Sequence, residues 1–218
     1  MGHVVLLGDS IFDNQAYIAA NELAVIKQLQ ARLPEDWQAT LLAVDGGVTT
    51  DIPAQLKGLP SDATHLVVSV GGNDALQHID MLSDAARSVA EVYNRVAAIG
   101  EQFERDYRRA LAAVRARHLP TSVCTIYYSN FPDPAVQRLA VTGLTGFNDC
   151  ILRVAFESGL PVLDLRLICS SPSAYANPIE PSAAGGAKIA EAIARVVAEH
   201  DFSRGRTEVF IHSPARSS

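Results

Sequence analysis

The amino-acid sequence predicts an α/β fold in which a parallel sheet is covered by helices on both faces. Three observations predict it. Short apolar runs such as Val4-Val5-Leu6-Leu7 lack a 3.6-residue period, which marks strands buried on both faces. These runs alternate with helical segments along the chain, the pattern of right-handed βαβ crossovers. The third is size: 218 residues, 48% of them hydrophobic, suffice for one continuous core.

Each element follows from local pattern. The first strand ends at Gly8-Asp9-Ser10, and Ala16 to Leu33 then carries Ile18, Leu23, Ile26, Leu29 and Leu33 at helical spacing, with Pro34 as a stop. Gln38 to Val44 reads as a second strand ending at Asp45-Gly46-Gly47. A short helix to Leu56 starts at Thr49 or Thr50, with Pro53 in its first turn. His65 to Val70 is a third strand, closed by Gly71-Gly72-Asn73-Asp74. Ser83 to His118 is a long helical stretch with an expected break near Gly100 and a solvated arginine face. Ser122 to Tyr128 makes a fourth strand, Ser129 to Thr142 a loop with room for one helical turn, and Gly143 to Ser158 a helix. Val162 to Leu165 is the fifth strand, Arg166 to Ala183 is irregular, and Ala184 to His200 forms the last helix. Residues 1–200 therefore read as a single domain and 201–218 as a C-terminal tail, in which Thr207 to His212 suits an edge strand or a docked segment.

Composition excludes several classes of function. A net charge of -6 provides no basic footprint, so neither nucleic acid nor an anionic membrane surface is an expected partner. No run reaches 18 consecutive apolar residues and the N-terminus lacks a basic, then apolar, signal pattern, so the expected location is the cytoplasm. Cys124, Cys150 and Cys169 lack metal-ligand spacing and suit buried reduced thiols.

Chemistry concentrates at strand ends. Ligand crevices of open α/β sheets lie outside the carboxyl ends of the strands, where Ser10, the Gly46-Gly47 turn and Asn73 all fall. A serine nucleophile, a glycine backbone N–H and an asparagine amide are the groups acyl transfer needs, one to attack and the others to receive the oxyanion. Ser10 equally suits a helix N-cap, and Gly-Gly turns are common punctuation.

These motifs resemble the SGNH hydrolase family, also called GDSL esterases and lipases. The resemblance lies in Gly8-Asp9-Ser10, Gly47 with Thr49, and Gly71-Gly72-Asn73-Asp74, in the family's order. It implies a three-layer α/β/α sandwich, flavodoxin-like, with a five-stranded mainly parallel sheet. It also implies that Ser10 is the nucleophile, that the N–H groups of Ser10 and Gly47 and the side chain of Asn73 are oxyanion donors, and that the substrate is a small ester, a thioester or an acetylated carbohydrate cleaved without metal or cofactor.

The sequence departs from the family before the last helix. The family's Asp and, three residues later, His are replaced in the stretch Asn177-Pro178-Ile179-Glu180-Pro181 by Asn177 and Glu180. A glutamate at its reference pKa of about 4.3 is a weaker base than an imidazole near 6.5. Burial can raise it. The expected arrangement has Glu180 taking the Ser10 proton while the Asn177 amide N–H bonds one carboxylate oxygen, with Asp9 stabilising the nucleophile turn through its own side chain and Asp74 in support. His78, five residues beyond Asn73, is the nearest histidine substitute, and His212 lies in a tail able to fold back. Two functions remain: a serine ester hydrolase with an altered base, and an SGNH-fold protein that binds an acyl or carbohydrate ligand without turnover.

Overall fold

The computed structural model describes residues 1–211; His212 and Ser213 to Ser218 lie outside the described residues. Six parallel strands form one sheet in the order β2-β1-β3-β4-β5-β6. They are β1 (His3–Gly8), β2 (Gln38–Leu41), β3 (His65–Ser69), β4 (Thr121–Cys124), β5 (Val162–Leu163) and β6 (Val209–Phe210). The sixth strand corrects the expected five: Val209 and Phe210 pair with Val162 and Leu163 as a parallel edge.

Alternation along β1 and its neighbours sorts side chains to two cores. Val4 and Leu6 face one cluster with Val67 and Leu163, and Val5 and Leu7 face the other with Leu66 and Val68. The first cluster is closed by α1 (Val25–Gln30) and α7 (Ala183–Glu199), which bring Leu29, Ile189 and Ile193. The second is closed by α2 (Ile52–Gln55), α4 (Val89–Arg115) and α5 (Pro134–Glu157), through Ile52, Leu111 and Ile151. A three-layer sandwich results, with every residue of β1 buried. Two short helices, α3 (Gly72–Leu76) and α6 (Leu165–Ile168), follow β3 and β5 directly.

Three helices differ from expectation, each for a local reason. The first helix begins only at Val25, because the buried Asn14 Oδ1 accepts the Val25 N–H and an Ala19–Glu22 turn fills the preceding stretch. Helix α4 runs 27 residues straight through Gly100, which weakens a helix but does not remove a hydrogen bond as proline does. Helix α5 starts nine residues before Gly143, where Asp133 caps the N–H groups of Ala135 and Val136 and Pro134 occupies the first turn. By length and composition α5 could cross a membrane; here its Ile151, Val154 and Ala155 pack on the sheet.

Candidate active site

Ser10 follows β1 at a turn whose shape demands glycine. Gly8 has φ 133°, and a Cβ there would lie 1.7 Å from Ser69 O. The Asp9 N–H donates to that same Ser69 O at 3.1 Å, and the Phe12 and Asp13 N–H groups donate back to Asp9 O. Asp9 Oδ1 accepts the Ile11 N–H at 3.1 Å. Among the described residues the Ser10 N–H itself has no acceptor, so it remains available to a ligand. Gln55 holds the turn from the α2 side, accepting the Gly8 N–H at 2.8 Å and donating to Gly8 O at 2.7 Å.

The loops after β2 and β3 are tied together in turn. Asn73 Nδ2 donates to Gly47 O at 3.0 Å, and Thr49 donates to Asp74 through both its N–H and its hydroxyl, the latter at 2.6 Å. An amide NH2 has two hydrogens, so Asn73, which lines the cavity beside Ser10, keeps one for a ligand. The Gly47 N–H is a correction to the sequence reading: it donates to Val44 O at 2.9 Å, closing the turn, and is not presented to the cavity. Gly47 is needed for contact, since a Cβ there would stand 2.7 Å from Gly8 O.

Glu180 arrives from the opposite side, on the loop before α7. Its main chain is fixed by the Ala176 N–H donating to Glu180 O, by Tyr127 Oη donating to Ile179 O, and by Asn14 donating to Pro181 O. Ser182 then caps α7 by accepting the Gly185 N–H at 3.1 Å. The carboxyl is 6% exposed and faces Ser10. Burial is the main cause that raises its pKa to about 7; the Ser10 hydroxyl pulls it down and Asp45 pushes it up. Among the described residues Glu180 Oε2 is buried with no hydrogen-bond partner. Asn177 is the second correction. Its Oδ1 accepts the N–H groups of Ile179 and Glu180 at 2.9 and 3.0 Å, so it shapes the turn that delivers Glu180 rather than bonding the carboxylate. A three-residue spacing suits such an Asx turn better than side-chain pairing.

Asp9 is buried with no cation paired to it among the described residues, and burial first, then the charges of Glu180 and Asp74, raises its pKa to about 8. Asp74 is raised as well, mainly by burial, against the lowering bonds from Thr49. His78 is exposed on the cavity rim, and its ring bonds neither Ser10 nor Glu180. Three of the other described histidines have structural partners: His3 bridges Asp62 and Thr40, His65 packs on Trp37, and His200 pairs with Glu208; His118 follows α4 at φ 54°, its N–H donating to Arg115 O. Sequence reading missed Gln55 and Asn14. An internal glutamine in a short helix carries no signal, and Asn14 reads as an ordinary turn residue.

Ser10, Asn73 and Glu180 share one cavity of about 180 Å³ whose remaining walls are mostly apolar. A parallel three-layer sandwich with serine, asparagine and carboxyl groups converging at the strand ends defines an α/β protein of the SGNH type. The chain belongs to the GDSL-like lipase/acylhydrolase family, whose sequence pattern matches residues 6–188. No curated protein matches it. Among solved structures, a lipase from a goat rumen metagenome superposes with a TM-score of 0.68 at 18% identity, over 88% of this chain and 95% of its own. An extracellular lipase from Streptomyces rimosus gives 0.65 at 15% identity, over 92% and 100%. The acetyl xylan esterase AlAXEase gives 0.63 at 15% identity, over 91% and 100%. At these identities the likeness is one of fold.

Proposed function

We propose that the protein is a serine ester hydrolase in which Glu180 takes the place of histidine as general base. The observation that carries this reading is the Ser10 hydroxyl set against a buried carboxyl whose pKa stands at about 7. That value lies close to an imidazole's, so the disadvantage of a carboxylate base is largely offset by burial. In its ionised form Glu180 accepts the Ser10 proton as Oγ attacks the ester carbonyl. The tetrahedral oxyanion faces the free Ser10 N–H and the second Asn73 N–H. Collapse returns the proton from Glu180 to the leaving alkoxide and leaves an acyl group on Ser10. Water, deprotonated by Glu180, then attacks the acyl-serine, and the acid departs as Ser10 recovers its proton. Asn177 and Gln55 act as positioning residues, one on the backbone of Glu180 and one on that of Gly8.

A binding protein without turnover is the competing reading, favoured by the closed Gly47 N–H. Turnover of p-nitrophenyl butyrate separates the two. Ser10→Ala and Glu180→Ala should each lower kcat/KM by about 10²-fold or more, and the double variant little further, because nucleophile and base act as a unit. His78→Ala should stay within about threefold of wild type, as expected of an exposed rim residue. A His78→Ala loss as large as that of Ser10→Ala, beside a mild Glu180→Ala, contradicts the assignment.

A further inference from the structure

Three glycines in the interiors of the two longest helices, Gly100 in α4 and Gly143 and Gly146 in α5, line the same cavity as Ser10. Glycine is the poorest helix former after proline, so its repeated use here calls for a reason. Backbone conformation does not supply one, because none of the three has a positive φ. Close helix packing does not either: a Cβ built on any of them meets no heavy atom within 4 Å. Helices α4 and α5 do touch nearby, where the Phe103 and Phe147 rings stand 4.7 Å apart, yet the space over the glycines stays open. The absent side chains therefore leave room.

We propose that this room is an acyl channel: Gly100, Gly143 and Gly146 keep open a passage between α4 and α5 that holds a medium-length, unbranched acyl chain of the ester attacked by Ser10. The proposal rests on the hydrolase reading for its reactive end. Its walls include the apolar side chains of Ile79, Leu82, Val96, Ile99, Leu139 and Phe147, and the carboxyl groups that line the cavity are those of Asp9 and Glu180. Ile79, Leu82, Val96 and Leu139 are also exposed, so the apolar lining continues to the surface as an entrance. An apolar cavity of about 150 Å³ accepts a benzene-sized ligand. At about 180 Å³ and open at one side, this one suits a chain of roughly six to eight carbons and leaves an acetyl group with most of the channel empty.

The test compares kcat/KM for p-nitrophenyl acetate, butyrate, hexanoate and octanoate in the wild type, Gly143→Leu, Gly146→Leu and Thr145→Leu. Thr145 is exposed on α5 and outside the cavity. Wild type should favour hexanoate and octanoate over acetate by about tenfold or more, the value of roughly two buried methylenes. Each glycine variant should lower the octanoate-to-acetate ratio by about tenfold, since the leucine side chain occupies the space of those methylenes. Thr145→Leu should leave the ratio within about twofold. A ratio unchanged in both glycine variants overturns the channel while the hydrolase reading stands. If the wild type cleaves none of these esters, the hydrolase reading fails and the channel is judged by displacement of cis-parinaric acid, a fluorescent fatty acid, with octanoate. Probe binding that octanoate competes away in wild type and Thr145→Leu, weakened about tenfold in the glycine variants, supports the channel; binding absent from wild type, or equal in all proteins, overturns it.

Discussion

Glu180 and Asp9 are two buried carboxyl groups with no cation paired to them among the described residues, and both bind protons more tightly in the folded chain than in the unfolded one. Between the ordinary carboxylate pKa and about 8, folded Asp9 keeps a proton that the unfolded chain has released, so stability falls as pH rises through that window. One such group contributes a slope of about 1.4 kcal/mol per pH unit. Asp9→Asn keeps an oxygen for the Ile11 N–H and removes the titration. Urea unfolding at pH 5, 6 and 7 should therefore show a shallower loss of stability in the variant than in wild type, by up to that slope. Parallel curves would mean that Asp9 is ionised in the fold. At this scale the sequence disclosed the residue types but not their partners. Asn177 and Glu180 were visible as a departure from Asp and His; that Asn177 turns its oxygen to the backbone depends on the loop path, which Tyr127 and Asn14 set from distant segments.

Helix ends were legible where capping chemistry was read and misplaced where it was passed over. Asp133-Pro134 is a strong start signal, and α5 begins there although Gly143 and Gly146 interrupt its propensity. Asp133→Ala should lower stability by about 1 kcal/mol in urea unfolding, because the N–H groups of Ala135 and Val136 lose their acceptor. No measurable change would place the stability of α5 entirely in its packing on the sheet. The break expected near Gly100 fails for a related reason: α4 is held by Phe103, Tyr107, Leu111 and Val114 on the sheet side, and tertiary burial outweighs one weak residue. The late start of α1 had no periodic signal, since the apolar spacing continues through residues 18–24 while the buried Asn14 decides where the first turn forms.

Across the whole molecule, alternation of apolar strands with helices sufficed for a parallel sheet with helices on both faces. Strand number stayed open between five and six, with 207–212 suited to an edge strand or a docked segment, because β6 contributes only Val209 and Phe210 and a two-residue strand has no period to read. Phe210 nonetheless belongs to the core, buried against His200 and beneath the Arg195 guanidinium, 5.7 Å from its ring. Phe210→Ala should cost about 3 kcal/mol in unfolding, the usual loss for a buried aromatic. A loss below about 1 kcal/mol would detach this strand from the folding unit. The sheet in turn brings the ends of β1 and β3 and the loop before α7 to one edge, where Ser10, Asn73 and Glu180 meet although 170 positions separate Ser10 from Glu180.

The pairing of Ser10 with Glu180 is tested most directly by the rate at which a fluorophosphonate labels the protein, followed by intact mass from pH 5 to 9 with the modified residue located by peptide mapping. Labelling on Ser10 should climb with pH along one limb centred near 7, where Glu180 becomes ionised. Glu180→Gln should label about 10²-fold more slowly and without that limb. Equal rates in wild type and Glu180→Gln, or a folded wild type that takes no label on Ser10, would contradict the pairing.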